Sequence, residues 1–183
     1  MNKNYHLIIN FVGFQVAWFT CVLMAAKNQP MNGIAVALVV AAVHLYLVDN
    51  RLRALTLLVI ITLIGSTWDS LLTSQKILVF SSGILSPNLA PTWIIAMWLS
   101  FATTLSVSLR WLYKRYVLAF VLGTISGPLA YQAGAALGAV SIPDNMTANI
   151  FLAFGWGVLM PLLVFIAETF ENMSTNRVAT HEH

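Results

Sequence analysis

The sequence predicts an all-α fold, a polytopic membrane bundle of six transmembrane helices with both termini inside the cell. Three observations predict it. Of the 183 residues, 59% are hydrophobic and only 8% are charged, whereas soluble domains carry about 25% charged residues. Six segments approach or exceed the roughly 20 apolar residues that a spanning helix needs. Lysine and arginine are distributed unevenly between the connections. Lipid must therefore cover most of the surface.

One domain over residues 1–172 contains all six spans, and a polar cytoplasmic tail follows at 173–183. Polar residues, glycine or proline separate the spans, as expected of short connections. The first apolar run is too long for the core of a signal peptide, so we expect a retained helix. The predicted spans cover residues 5–26, 31–48, 52–74, 91–113, 116–138 and 148–170.

The orientation follows from the basic residues, because cytoplasmic loops carry an excess of Lys and Arg. With the N-terminus inside, Lys27 and Lys76 are the only basic residues outside. The inside set is Lys3, Arg51, Arg53, Arg110, Lys114, Arg115 and Arg177. Six helices then return the C-terminus to the same side.

The connection after the third span, QKILVFSSGILSPNLAP, contains two apolar runs at 77–80 and 84–87 around Ser-Ser-Gly. A short hairpin within 75–89 fits this pattern, as does a segment lying in the membrane interface or an ordinary loop. A hairpin or an interfacial segment would cover the outer end of the bundle near Asp69.

Several functional classes are excluded by composition. The basic residues form no continuous stripe, so nucleic-acid binding is not expected. Cys21 is the single cysteine, which leaves no internal disulfide and no cysteine cluster. No His/Glu spacing matches a helical metal motif, so we expect neither a metal nor a cofactor.

Asp69 is the residue that most needs an explanation, because an ionisable group at membrane depth is costly and commonly functional. Thr62, Ser66, Asp69 and Thr73 recur at helical spacing and form one small-polar face. An apolar setting favours the neutral carboxyl, which can donate a proton. Asp69 is therefore a candidate catalytic acid/base. A hydrogen bond to another helix is the structural alternative.

The partners of Asp69 are sought at similar depth on other helices. Tyr131, Gln132 and Gln15 offer hydrogen-bond donors, whereas Trp93 is expected to belong to an interfacial aromatic belt. The candidate ligand-binding residues are Gln15, Trp18, Ser66, Trp68, Tyr131 and Gln132.

The inner half of the bundle contains fewer candidates. We expect Glu168 to pair with Arg110 near the cytoplasmic surface. His44 lies inside the second span, where a structural, hydrogen-bonded histidine is the favoured interpretation.

The segments PTWIIAMWLSFATTLSVSLRWL and SGPLAYQAGAALGAV resemble a family of small bacterial inner-membrane proteins, catalogued as domain of unknown function 2878. The resemblance extends from the first span to the sixth and includes the intramembrane Asp69 and the aromatic Trp93. It implies a multi-pass location in the bacterial cytoplasmic membrane. It implies no activity, so no catalytic residue is transferred.

The favoured function is binding or processing of a lipid or other apolar small molecule in an outer-half cavity around Asp69. Membrane lipids are the expected partners. The alternatives are a small, proton-coupled carrier and a non-catalytic assembly subunit of a membrane complex. The pattern leaves open whether the protein is an enzyme and whether it is a monomer or a homo-oligomer.

Overall fold

The structure, a computed structural model, describes residues 3–179 and, within them, the side chains of 5–173. It is a bundle of six α-helices, which confirms the predicted fold class. Five of the helices are long and apolar enough to cross a membrane. The helices are α1 (Lys3–Ala26), α2 (Pro30–Leu47), α3 (Arg51–Ser74), α4 (Thr92–Leu105), α5 (Tyr116–Ala136) and α6 (Asn145–Ala179). Two strands, β1 (Val79–Phe80) and β2 (Val140–Ser141), join the connections that precede α4 and α6.

The helices pack in two groups. Helices α1 to α4 pack on one another, and α5 packs along α6, which also touches α3. His6 at the start of α1 and Phe170 late in α6 line the same cavity, so both described ends of the chain lie at one end of the bundle. We call this the terminal end. The opposite end, which carries β1 and β2, is the ribbon end.

The fourth helix ends earlier than the predicted span of 91–113. Its 14 residues extend about 21 Å, less than the roughly 30 Å of a bilayer core. Asn10 of α1 stabilises the turn that follows: its Oδ1 accepts hydrogen bonds from the backbone N–H (3.3 Å) and the hydroxyl (2.7 Å) of Ser108. These bonds hold the chain in a turn, which a short 3₁₀ segment, Arg110–Leu112, follows.

The segment 75–89 forms no hairpin with itself. β1 pairs instead with β2 in antiparallel register, Val79 opposite Ser141 and Phe80 opposite Val140. Gly83 turns the chain at a φ of 72°, which glycine adopts without strain. The Ser82 hydroxyl, just before this turn, donates to the carbonyl of Ala25 at 2.8 Å. The chain is therefore tied to α1 rather than folded back on β1.

The expected pair between Glu168 and Arg110 is wrong. Arg110 pairs with Glu171, which lies one helical turn further along α6. Glu168 Oε2 accepts from the backbone N–H of Lys114 (3.0 Å) and from the hydroxyl of Tyr116 (2.8 Å), and so supports the start of α5.

The last helix is longer than its predicted span. α6 continues from Asn145 through Ala179, beyond the expected end at residue 170 and into the segment expected to be a polar tail. Residues 180–183 of that tail lie outside the described residues.

Candidate functional site

Asp69 lies at the centre of a three-helix contact near the ribbon end. Its side chain on α3 is completely buried (0% exposed). Oδ2 accepts the indole N–H of Trp98 on α4 at 2.6 Å, and Oδ1 accepts the phenolic hydroxyl of Tyr131 on α5. The carboxyl thus has one donor on each oxygen, as a buried polar group requires. It forms no ion pair with any described residue.

Glycines allow the large rings to approach this carboxyl. At Gly65, one turn before Asp69, the position of a Cβ is already occupied by the ring of Trp98. At Gly127, one turn before Tyr131, a Cβ would meet the ring of Trp156. The small-residue pattern of α3 and α5 therefore serves packing within this chain.

An aromatic cluster continues from the carboxyl toward α6. The rings of Trp98 and Trp156 stack with centroids 5.0 Å apart and an interplanar angle of 11°. Phe101 packs edge-on against both. Offset and edge-to-face pairs of this kind stabilise an aromatic cluster beyond their buried area, so the Trp98 indole is held in place on its face as well as at its nitrogen.

A cavity of about 450 Å³ lies beside this cluster, between α1, α4 and α5. Phe80 of β1 and Val140 of β2 line it at the ribbon end, so the strand pair forms its roof. Phe19 (51% exposed) and Leu129 (63% exposed) also line it. These two residues lie on the outer surface of α1 and α5, so the cavity opens toward the lipid-facing side between these helices.

Asp69 itself does not line this cavity. The residues that do are its two donors, Trp98 and Tyr131. The carboxyl therefore lies behind the wall, where it fixes the orientation of both rings. A ligand in the cavity meets the Tyr131 side chain, whose oxygen keeps acceptor capacity after donating to Asp69. The acid/base role of Asp69 stays a prediction, and in this geometry it would operate through Tyr131.

Three of the sequence-predicted ligand-binding residues line the cavity: Gln15 and Trp18 on α1, and Tyr131 on α5. Gln15 and Trp18 are three residues apart and share one helix face. The Gln15 amide makes no hydrogen bond with another described residue, which leaves it available to a ligand.

The other three, Ser66, Trp68 and Gln132, lie elsewhere. Gln132 donates to Asn145 Oδ1 (3.2 Å) and Asn149 Oδ1 (3.1 Å) on α6 and lines a separate groove beside the strands.

Ser66 and Trp68 point into contacts between helices. The Trp68 ring fills the space where a Cβ would stand at Gly155. The Ser66 hydroxyl and the Trp68 indole nitrogen are buried without a partner among the described residues.

Sequence reasoning missed Trp98 and misjudged Trp93. Trp93 is not an interfacial belt residue: it is buried, lines the cavity and donates to the carbonyl of Ser82 at 3.2 Å. A usable signal existed for Trp98. It lies six residues into α4 and Asp69 five residues from the end of α3, so both are about 8 Å from the ribbon end at 1.5 Å per residue.

The described part of the chain contains no group of three or more His, Cys, Asp or Glu side chains arranged to hold a metal ion. The polar groups beside the cavity are one phenol, one carboxyl, the Ser126 hydroxyl, indole N–H groups and one primary amide.

A family model described as "Protein of unknown function (DUF2878)" matches residues 7–162. No curated protein and no solved structure matches the chain. The match begins in α1 and ends within α6, so it contains every residue of the Asp69 contact and of the cavity wall.

Proposed function

We propose that this chain, which belongs to the DUF2878 family of proteins of unknown function, binds a lipid or another apolar small molecule in the cavity between α1, α4 and α5. One observation carries the proposal: an aromatic cavity of about 450 Å³ opens toward the lipid-facing surface, and two of its wall residues, Trp98 and Tyr131, are held by the buried Asp69 carboxyl. Binding pockets for small molecules have volumes of roughly 300–1,000 Å³ and mostly apolar walls.

The position of the mouth supports entry from the membrane. Phe19 and Leu129 at the mouth are about half or more exposed, so a molecule dissolved in the acyl chains reaches the opening without crossing water. Farther in, Trp93 and Trp98 are buried. An apolar ligand therefore moves from lipid to a wall of rings, where it gains dispersion contacts.

The polar groups in the wall indicate which ligands fit best. Gln15 offers an amide that lines the cavity and has no hydrogen-bond partner among the described residues. Tyr131 on α5 also lines the cavity, and its oxygen keeps acceptor capacity after donating to Asp69. A mainly apolar molecule with one carbonyl, ester or hydroxyl group satisfies these groups, whereas a pure hydrocarbon leaves them unpaired, which is unfavourable.

The proposed location is the bacterial cytoplasmic membrane. The terminal end faces the inside in this proposal, because Arg51, Arg53, Lys114 and Arg115 flank the helix ends there and cytoplasmic loops carry an excess of Lys and Arg. The cavity then opens in the outer leaflet. Asp69 contributes by holding Tyr131 and Trp98 in the orientation that shapes the cavity wall.

Native mass spectrometry of the full chain, released from mild detergent in the presence of bacterial lipid extract, tests the proposal. The wild type should carry a bound apolar molecule. Ala133→Leu should lose it, because Ala133 lines the cavity and the larger side chain fills part of it.

Ala136→Leu is the matched control, since it makes the same change one turn along α5 at an exposed residue outside the cavity wall. Equal retention of bound molecules by both variants, or a wild type that carries none, would contradict the proposal. Thermal unfolding of both variants checks that each is folded.

A further inference from the structure

A second cavity, of about 370 Å³, lies at the terminal end of the bundle. It shares no lining residue with the cavity beside Asp69. Parts of α1, α2, α3, α6 and the turn after α4 enclose it, and its wall mixes charged with apolar side chains. Its polar lining residues include His6, His44, Asp49, Arg53, Arg110 and Glu171.

His44 is the most informative of these residues. Its side chain is buried (4% exposed), it lines the cavity, and its Nδ1 has no hydrogen-bond partner among the described residues. The Nε2 of His6 is buried and unpaired in the same way, and the two rings are 6.4 Å apart. Both side chains line this cavity, and a buried imidazole without a partner is costly, so the pair favours a polar ligand group there. The expectation of a hydrogen-bonded structural His44 is not met at this nitrogen.

Two arginines and two carboxylates line this cavity, and the way they pair leaves Arg53 available to an anionic group. Arg110 is neutralised by Glu171, whereas Arg53 lines the cavity and forms no ion pair with another described residue. Arg53 also belongs to the first turn of α3, where the helix dipole attracts negative charge. Asp49 is the remaining carboxylate, and it lies exposed near the rim.

We infer that this cavity binds the phosphate of a phospholipid headgroup. The Arg53 guanidinium pairs with the phosphate, and the imidazoles of His6 and His44 donate to its oxygens, since either ring nitrogen can carry the proton. Leu7 lines the cavity and is exposed on the outer side of α1, which lets acyl chains remain in lipid. Basic pockets between helices on the cytoplasmic side are sites of this kind.

The inference is tested with the full chain in detergent micelles by thermal unfolding and native mass spectrometry. Four probes are added separately: dilauroyl phosphatidylglycerol, dilauroyl phosphatidylethanolamine, dilauroylglycerol and inorganic phosphate. At least one phospholipid should raise the unfolding midpoint and appear as a bound mass, because a ligand that binds only the folded state stabilises it. Dilauroylglycerol has the same acyl chains without phosphate and should do neither.

Two variants assign the effect to this cavity. Arg53→Gln should lose most of the phospholipid-induced rise in midpoint. Arg51→Gln removes the same charge from the same end of α3, but Arg51 lies over the ring of Tyr46 at 5.9 Å and does not line the cavity, so it should keep the rise. If Arg53→Gln proves unstable, His44→Gln serves as the second variant, and its native mass spectrum should show loss of the bound phospholipid.

A response to both phospholipids, or to inorganic phosphate as well, supports a site for the shared phosphate. A response to phosphatidylglycerol alone supports an anionic headgroup, and one to phosphatidylethanolamine alone supports an added contact between its ammonium and Asp49. An equal response to dilauroylglycerol, an equal loss in Arg51→Gln and Arg53→Gln, or no response to any probe overturns the inference.

Discussion

Tyr131 on α5 donates its hydroxyl hydrogen to Asp69 on α3, and this bond links the two packing groups of the bundle. Helix α5 packs mainly on α6, while α3 packs on α4. The same carboxyl also holds Trp98 of α4. Asp69 is therefore a junction between the groups, and the wall of the cavity depends on it.

Replacement of Asp69 should destabilise the fold, and the variant that keeps fewer hydrogen bonds should lose more stability. Asp69→Leu leaves the Trp98 N–H and the Tyr131 O–H without an acceptor, at about 1–3 kcal/mol for each buried donor. Asp69→Asn should cost less, because its amide oxygen still accepts from Trp98 and its NH₂ donates to the phenolic oxygen. Denaturant unfolding in micelles measures both. Equal stability of Asp69→Leu and the wild type would show that the contact contributes nothing.

Gly65→Ala should destabilise the protein and displace Trp98. A Cβ at Gly65 occupies the space of the indole ring, and overpacking of this kind costs about 1–3 kcal/mol. Gly13→Ala in α1 is the control, since its new Cβ would meet Val40 at an ordinary 3.6 Å. Alanine there should be neutral or slightly stabilising. If the two variants unfold at the same midpoint, the close approach of Trp98 to α3 is not as tight as described.

Two glutamine variants should separate ligand binding from packing under the proposed function. Gln15→Leu removes an amide that lines the cavity and has no partner among the described residues, so a ligand with a carbonyl or hydroxyl group should bind more weakly, by about 0.5–1.5 kcal/mol. Gln132→Leu removes bonds to Asn145 and Asn149 outside that cavity and should leave ligand occupancy unchanged. Native mass spectra of both variants report the difference. If Gln132→Leu weakened ligand binding and Gln15→Leu did not, the ligand would belong to the groove beside the strands.

The start of α6 should loosen in acid. Asp144 accepts hydrogen bonds from the hydroxyl and the backbone N–H of Thr147 and from the N–H of Met146, and these bonds lower the pKa of its carboxyl, the Thr147 hydroxyl most. Because the folded pKa is the lower one, the stabilisation is fully present above the unfolded pKa of about 3.9. It is lost as the pH falls through the folded pKa. Hydrogen exchange at Met146 and Thr147 should accelerate there, and Asp144→Asn should abolish that dependence.

Part of the candidate site was predictable from helical depth. Asp69 and Tyr131 each lie five residues from a helix end at the ribbon side, and the predicted pairing matches the hydrogen bond between them. Gln132 could not share that role, because consecutive helix residues point about 100° apart. Because Tyr131 points toward α3, Gln132 points toward α6. Depth alone does not give this rotation, which depends on how α5 packs along α6.

The sequence by itself determined that this is a membrane protein of six helices, since the residues of each segment decide whether that segment is long and apolar enough to lie in lipid. It also identified Asp69 as a buried group, because a single carboxyl in an apolar helix must be enclosed by other helices. Only the tertiary structure decided that β1 pairs with β2, that Asn10 stabilises the turn after α4, and that Trp98 completes the Asp69 contact. Each of these is a contact between residues far apart in the chain, and its geometry arises from helix rotation and packing that no single segment encodes.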